Sequence, residues 1–366
     1  MNTLKKIGLT ALGTSLVAGS AFAGEITASG DAGYTWSSES IGGSAATPAT
    51  GSATNDGVGY NHDITLSGSG ELDNGWSVAT TMILTEDSSL SSSNVKLTMG
   101  GLGSIVVGNG TGGTGASFDD ATPRAYEENH DGMKTSTAID NMGALLGNGG
   151  IDYYSPSFDL GGATASFMLN LTPEVSGTAV GEGGVSTSSV DRGSGQALGV
   201  NLSMGGISAG AYAASASADT VANDTAVTGN DMSDATDATW FVNYTTGPVS
   251  FGYQKGVIDR GIGAAAETAT TGAKTVAAAG GDFEIEKMSI AFNVNDNLSI
   301  SYEQEESEPK TQRKSTTQYT MESTGIQASY TMGGMTLGVA MNDHENASYT
   351  TNKDVKDTVF TVEMAF

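Results

Sequence analysis

After the first two dozen residues the chain alternates apolar and polar side chains with a period of two almost without interruption. In "WSVATTMIL" the residues Trp76, Val78, Thr80, Met82 and Leu84 share one face. "NVKLTM", "ATASFMLNL", "ALGVNLSM", "NLSISYE", "IQASYTM" and "MTLGVAMN" repeat the pattern. Period-two alternation is the signature of a strand with chemically different faces, and helical periodicity is nearly absent. The last nine residues, "TVFTVEMAF", set Phe360, Val362, Met364 and Phe366 on one face, so an alternating strand runs to the final residue. Chain ends are ordinarily polar and frayed. A complete strand there predicts a structural partner for it.

The connections sort the strands. Short turn-forming stretches fall at 73–75, 100–103, 156–162, 205–206, 247–248, 295–297 and 333–334, rich in Gly, Asn, Asp or Pro. Between them lie longer polar stretches at about 38–56, 86–92, 109–149, 172–195, 218–237, 260–280, 307–317 and 343–354. Strict alternation of short and long connections joins sixteen strands and elaborates one end of the sheet only. A transmembrane barrel has that asymmetry, with short periplasmic turns and long outer loops. Backbone groups in lipid must all be paired, so such a sheet closes on itself. The last strand should therefore pair with the first, near 25–36. Tyr34, Trp36, Trp76, Trp240, Tyr244 and Tyr330 near strand ends fit interfacial girdles. A secreted β-sandwich or surface-layer protein shares the alternation but gives no reason for an apolar terminal strand.

Composition narrows the class. Lys5 and Lys6, an apolar run from Ile7 to Ala18, and Ala21-Phe22-Ala23 form a secretory signal over 1–23, with cleavage expected between Ala23 and Gly24. The remainder, 24–366, reads as one barrel. The chain holds no cysteine, and charged residues are 15% against a usual ~25%. With 15 basic and 41 acidic residues it carries a formal charge of −26, which disfavours nucleic-acid binding, since that depends on basic patches.

The whole chain resembles the Gram-negative general porins, nearest the alphaproteobacterial type. The resemblance rests on the Ala21–Gly24 junction, "ELDNGW", the long third loop after "GLGSIVVGN", "IDYYSPSFDLGG" and the terminal Phe366. It implies an all-β fold, a 16-stranded antiparallel transmembrane β-barrel whose third loop, about 109–149, folds inward to constrict the pore. It also implies a homotrimer, contact with outer-membrane lipid and lipopolysaccharide, and Phe366 as a signal to the assembly machinery. The implied activity is passive diffusion of ions and small hydrophilic solutes, with no cofactor and no catalytic residue.

On that resemblance Asp119, Asp120, Arg124, Glu127, Glu128 and Asp131 would line the constriction, an acid excess that enriches cations. Family porins carry a basic cluster opposite; here only Lys96 and Lys287 have strand parity toward the lumen. A substrate-selective channel for a sugar or cationic nutrient is the rival reading, with Tyr154, Tyr212 and Phe241 as inward aromatics. An acidic surface adhesin is another. Other patterns carry little. Gly108–Gly113 matches G-x-G-x-x-G but opens no amphipathic helix. His62, His130 and His344 lack metal-ligand spacing and read as incidental surface or rim residues. Asp231, Asp234 and Asp237 lack the spacing of a calcium loop.

Overall fold

The computed structural model describes residues 23–42, 53–85, 90–109, 115–129, 142–143, 145–146, 150–173, 192–218, 234–259, 282–309 and 319–366. The expected signal segment up to residue 22 lies outside them, as do Asp131, His130 and Asp231.

Sixteen antiparallel strands form one sheet closed on itself. They are β1 (Ala23–Gly42), β2 (Ala53–Glu71), β3 (Ser77–Leu84), β4 (Leu90–Thr98), β5 (Ser104–Asn109), β6 (Ile151–Tyr154, resuming at Phe158–Asp159) and β7 (Thr164–Thr172). The circuit continues with β8 (Arg192–Met204), β9 (Ile207–Ala218), β10 (Ala235–Thr246), β11 (Val249–Asp259) and β12 (Asp282–Asn293). It ends with β13 (Leu298–Pro309), β14 (Met321–Met332), β15 (Met335–Glu345) and β16 (Asp354–Ala365). Both pieces of β6 pair with β7, so they count as one broken strand. The break falls at 155–157, where Ser155 Oγ accepts the Phe167 N–H at 2.9 Å in place of a ladder carbonyl.

The terminal strand has its partner. β16 pairs with β1 from Asp31↔Ala365 to Gly42↔Asp354, and Gly30 and Phe366 exchange both backbone hydrogen bonds, at 2.9 and 2.8 Å. No edge is left at the seam, as a sheet in hydrocarbon requires.

The turns are tight where expected. Gly205 and Gly333 open two-residue hairpins with φ of 57° and 62°, a left-handed conformation that a Cβ would strain. Two expectations shift. The turn placed at 156–162 contracts to 160–163, where Leu160 N–H bonds to Ala163 C=O at 2.8 Å. Strands β1 and β2 run to Gly42 and from Ala53, deep into the expected loop 38–56, because their ladder continues through Ile41↔Ala53.

Polarity is inverted relative to a soluble barrel. Along β10 to β16 the buried positions are mostly polar, including Asp237, Gln254, Lys287, Glu303, Gln327, Asn342 and Asp357. The alternate, exposed positions carry Trp240, Phe251, Met288, Ile290, Tyr302, Ile326 and Phe360. An apolar exterior around a polar interior is stable in hydrocarbon, not in water.

Candidate site on the enclosed wall

The segment 115–129, which opens with the short helix α1 (Ala116–Asp119), is hydrogen-bonded to the enclosed face of the sheet. Two wall glutamines treat it as a further strand. Gln254 Oε1 accepts the Ala121 N–H at 3.1 Å, and its Nε2 donates to the Phe118 carbonyl at 2.5 Å. Gln327 Oε1 accepts the Tyr126 N–H at 3.2 Å while its Nε2 donates to the Glu127 carbonyl. Asn243 Nδ2 donates to the Ala121 carbonyl at 2.6 Å, and Ser301 Oγ accepts the Ala125 N–H at 2.8 Å. An irregular segment carries backbone groups that no ladder pairs, so buried side-chain amides supply the missing partners.

Beyond the amides, packing fixes the path. Phe118 lies 5.4 Å from Tyr212 and 6.2 Å from Phe241, ring centre to ring centre, within an apolar cluster that includes Leu146 and Ala197. Met142 packs on Ile258 and Ile285. Wall glycines lie beneath. A methyl group at Gly199 would sit 2.6 Å from the Phe118 ring, and one at Gly338 would sit 2.6 Å from Tyr126. Gly252, Gly256 and Gly325 face Pro123, Met142 and Asn129 at closer range still. The sequence reading passed over these glycines. Their signal was present: glycine at enclosed-face parity inside a strand marks close approach of another part of the chain.

The expected site residues separate into two groups. Lys287 is 1% exposed and Glu128 2%, and the two form an ion pair; Glu305 stands 3.3 Å and Asp120 4.0 Å from the ammonium. Asp120 itself pairs with Arg124 at 3.0 Å and keeps water-facing surface. Asp119 is half-buried at the end of α1, and Glu127 follows Tyr126 on the same segment. Burial lifts the Asp120 carboxyl to about 7, the Glu128 carboxylate adds to the rise, and Arg124 and Lys287 oppose it. Burial also raises the Tyr126 phenol to about 12; a hydrogen bond with Thr361 pulls the other way, and Glu127 and Glu363 push it up. Lys96 stands exposed on β4 between Ala79 and Val106, apart from this group. Phe366 is at the seam already described.

His344 corrects an expectation. It is buried on β15 rather than placed at a surface or rim, with Nδ1 bonded to Ser323 Oγ and Nε2 to Asp357 Oδ2, both at 2.8 Å. Asn342 donates to the other Asp357 oxygen at 2.9 Å. The order of groups is that of a hydrolase triad, yet a nucleophile must be reached by substrate and Ser323 has no exposed surface. The set braces three neighbouring strands. Asp234 is exposed and Asp237 buried, and no group of acids or histidines among the described residues is arranged to hold a metal ion.

No family model matches the chain, and no curated protein matches it. Solved structures do. The chain aligns over 93% of its length, and 99% of the other's, with an anion-selective porin from Comamonas acidovorans at 13% identity and a TM-score of 0.62. OmpF from Salmonella typhi aligns over 94% and 98% at 12% identity and 0.59. A mutant porin from Rh. blastica aligns over 93% and 100% at 14% identity and 0.52. The chain has the general-porin fold. Its relation to these porins lies in architecture, since almost nine in ten aligned residues differ.

Proposed function

We propose that the protein is an outer-membrane porin of a Gram-negative bacterium. It forms a water-filled channel through which ions and small hydrophilic solutes diffuse passively, with cations preferred. The observation that carries this reading is the acid-rich segment 115–129 held against the enclosed wall of a closed barrel whose exterior is apolar. In that position the segment narrows the lumen, and Asp119, Asp120 and Glu127 present carboxylates to whatever passes. Glu128 and Lys287 neutralise each other and act as an anchor. The Comamonas porin is described as anion-selective on the same fold, so selectivity is a matter of lumen side chains and not of architecture.

General diffusion is favoured over a substrate-selective slide. Tyr212 and Phe241 pack beneath Phe118 with little surface left, so of the three inward aromatics only Tyr154 is appreciably exposed. No catalytic role is assigned, because the triad-like set found among the described residues is sealed in the wall. Secretion by a signal over 1–23, a homotrimeric assembly and recognition of Phe366 by the assembly machinery complete the proposal.

Reversal potential in a KCl gradient across a planar bilayer tests it. The expected sign is that of potassium flux exceeding chloride flux; an anion-selective trace defeats the selectivity, and no conductance defeats the channel.

A further inference from the structure

Two amide groups meet over a strand glycine on the enclosed wall. Asn129, at the end of segment 115–129, lies above Gly325 of β14, and Asn342 of β15 is directly opposed to that glycine in the ladder. Asn129 and Asn342 are 0% and 4% exposed. A methyl group at Gly325 would collide with Asn129 Oδ1 and Asn342 Oδ1 alike, so both oxygens turn into the space where that glycine has no side chain.

The amide nitrogens fix that orientation. Asn129 Nδ2 donates to the Glu303 carbonyl at 3.0 Å, and Asn342 Nδ2 donates to Asp357 Oδ1 at 2.9 Å. Flipping either amide would set oxygen against oxygen. Asn342 Oδ1 is buried without a hydrogen bond, and Asn129 Oδ1 receives one long contact from Gln327 Nε2 at 3.4 Å. Two partial negative charges aimed at one place call for a positive group between them.

A carboxylate completes the set. Glu303 of β13 is directly opposed to Gly325 on its other side and is 0% exposed. Its Oε1 accepts the Thr122 hydroxyl at 2.9 Å, whereas Oε2 is buried with no hydrogen bond. The nearby bases are committed elsewhere, Lys287 to Glu128 and Glu305, and Arg124 to Asp120. A water molecule could donate to both amide oxygens, but it would leave the Glu303 charge uncompensated.

We infer that an alkali-metal cation, sodium or potassium, binds over Gly325 among Asn129 Oδ1, Asn342 Oδ1 and Glu303 Oε2. All-oxygen ligation suits a hard cation, and two neutral amide oxygens with one carboxylate suit a single charge. Calcium takes about 6–8 oxygens, several from carboxylates, and magnesium keeps several of its waters. Three fully buried side chains offer neither. The ion joins the end of segment 115–129 to β13 and β15, so a permeant ion sets how firmly the segment is held to the wall. Only that last consequence rests on the channel reading; the site stands on the wall geometry.

The test is urea unfolding of the full chain refolded in phosphatidylcholine vesicles. Potassium or sodium chloride replaces N-methylglucamine chloride at constant ionic strength, so screening is unchanged and only the small cation can enter. The wild-type midpoint should rise with the logarithm of alkali concentration above half-filling of the site. Glu303→Gln and Asn342→Leu should each abolish the rise, whatever they do to the midpoint itself. Asp120→Asn, which removes a carboxylate outside the site, should keep it. A wild-type midpoint that ignores the exchange overturns the inference. So does a rise that survives both site variants, or one that calcium chloride alone produces. Conductance of the same vesicles is read in parallel. An alkali-dependent midpoint without conductance refutes the channel and not the site, and conductance without that dependence refutes the site and not the channel.

Discussion

Lys287 and Glu128 form an ion pair with almost no access to water, one partner on β12 and the other on the segment that crosses the enclosed wall. Buried pairs are costly to break from one side, because the remaining charge has no solvent to turn to. Lys287→Met is expected to destabilise the segment by about 3–5 kcal/mol, and Glu128→Gln by a similar amount. The double replacement should recover only the part of the loss that Glu128 causes, since Glu305, buried 3.3 Å from the ammonium, loses its counter-charge whenever Lys287 is replaced. A double-mutant cycle of urea unfolding in lipid vesicles measures the coupling. Single-channel records give a second readout: the single variants should flicker, and the double variant should flicker less than Lys287→Met. Additive losses would remove the pair from its anchoring role.

Asp120 is expected to give the channel a pH dependence near neutrality. Its carboxyl titrates at about 7, so it is largely neutral at pH 6 and charged at pH 8. Cation preference should rise as pH climbs through 7, and Asp120→Asn should flatten that rise. A unit charge acts on an ion 4 Å away with roughly 1 kcal/mol in water, which implies a several-fold change in the permeability ratio. The linked effect on stability has the opposite direction. A carboxyl raised in the folded state binds its proton more tightly there than in the unfolded chain. Its contribution is therefore fullest below pH 4, declines between about 4 and 7, and is constant above. Reversal potentials at several pH values check the first statement, and unfolding midpoints of wild type against Asp120→Asn check the second.

The barrel was legible in the sequence because lipid and water impose period two on every strand and closure imposes a partner on the last one. The exchange between Gly30 and Phe366 follows from that logic alone. What the residues could not disclose was the lateral fit inside the barrel. Gln254 and Gln327 look like any polar residue on an enclosed face, and nothing in their own strands says that each will bracket a backbone stretch some 130 or 200 residues away. His344 was misplaced for a related reason. The chain continues past Glu345 into a turn of left-handed residues, and the Tyr349 ring packs 5.0 Å from Phe283 there, so a loop expected to be open covers the top of the strand. Parity assigns a side chain to a face; it does not say what lies over that face.

The wall glycines give a direct probe of that covering. Gly338→Ala places a methyl group 2.6 Å from Tyr126, and Gly199→Ala does the same beneath Phe118. Overpacking of a fitted contact costs about 1–3 kcal/mol. The Tyr126 and Phe118 rings are themselves packed, so the expected relief is movement of the segment off the wall and into the lumen, and conductance should fall together with stability. Gly101→Ala meets no atom within 4 Å and serves as the neutral control. Wild-type conductance in the Gly338 and Gly199 variants would mean that the segment has another way to yield.

Phe366 closes the seam through its backbone, and the role proposed for its ring can be tested separately. Its backbone exchanges two hydrogen bonds with Gly30, whereas its ring is exposed at the barrel surface. Deleting the residue leaves a donor and an acceptor of Gly30 unpaired at the seam, each costing about 1–3 kcal/mol where water is excluded. The deletion variant should thus refold poorly in vesicles and unfold at lower urea. Phe366→Ala keeps both backbone bonds and should refold in vesicles nearly as well as wild type. If the ring serves as a recognition element in the cell, Phe366→Ala should nevertheless accumulate in the membrane at a small fraction of the wild-type amount. Equal accumulation would confine Phe366 to closing the seam, and failure of Phe366→Ala to refold in vesicles would assign the ring a packing role instead.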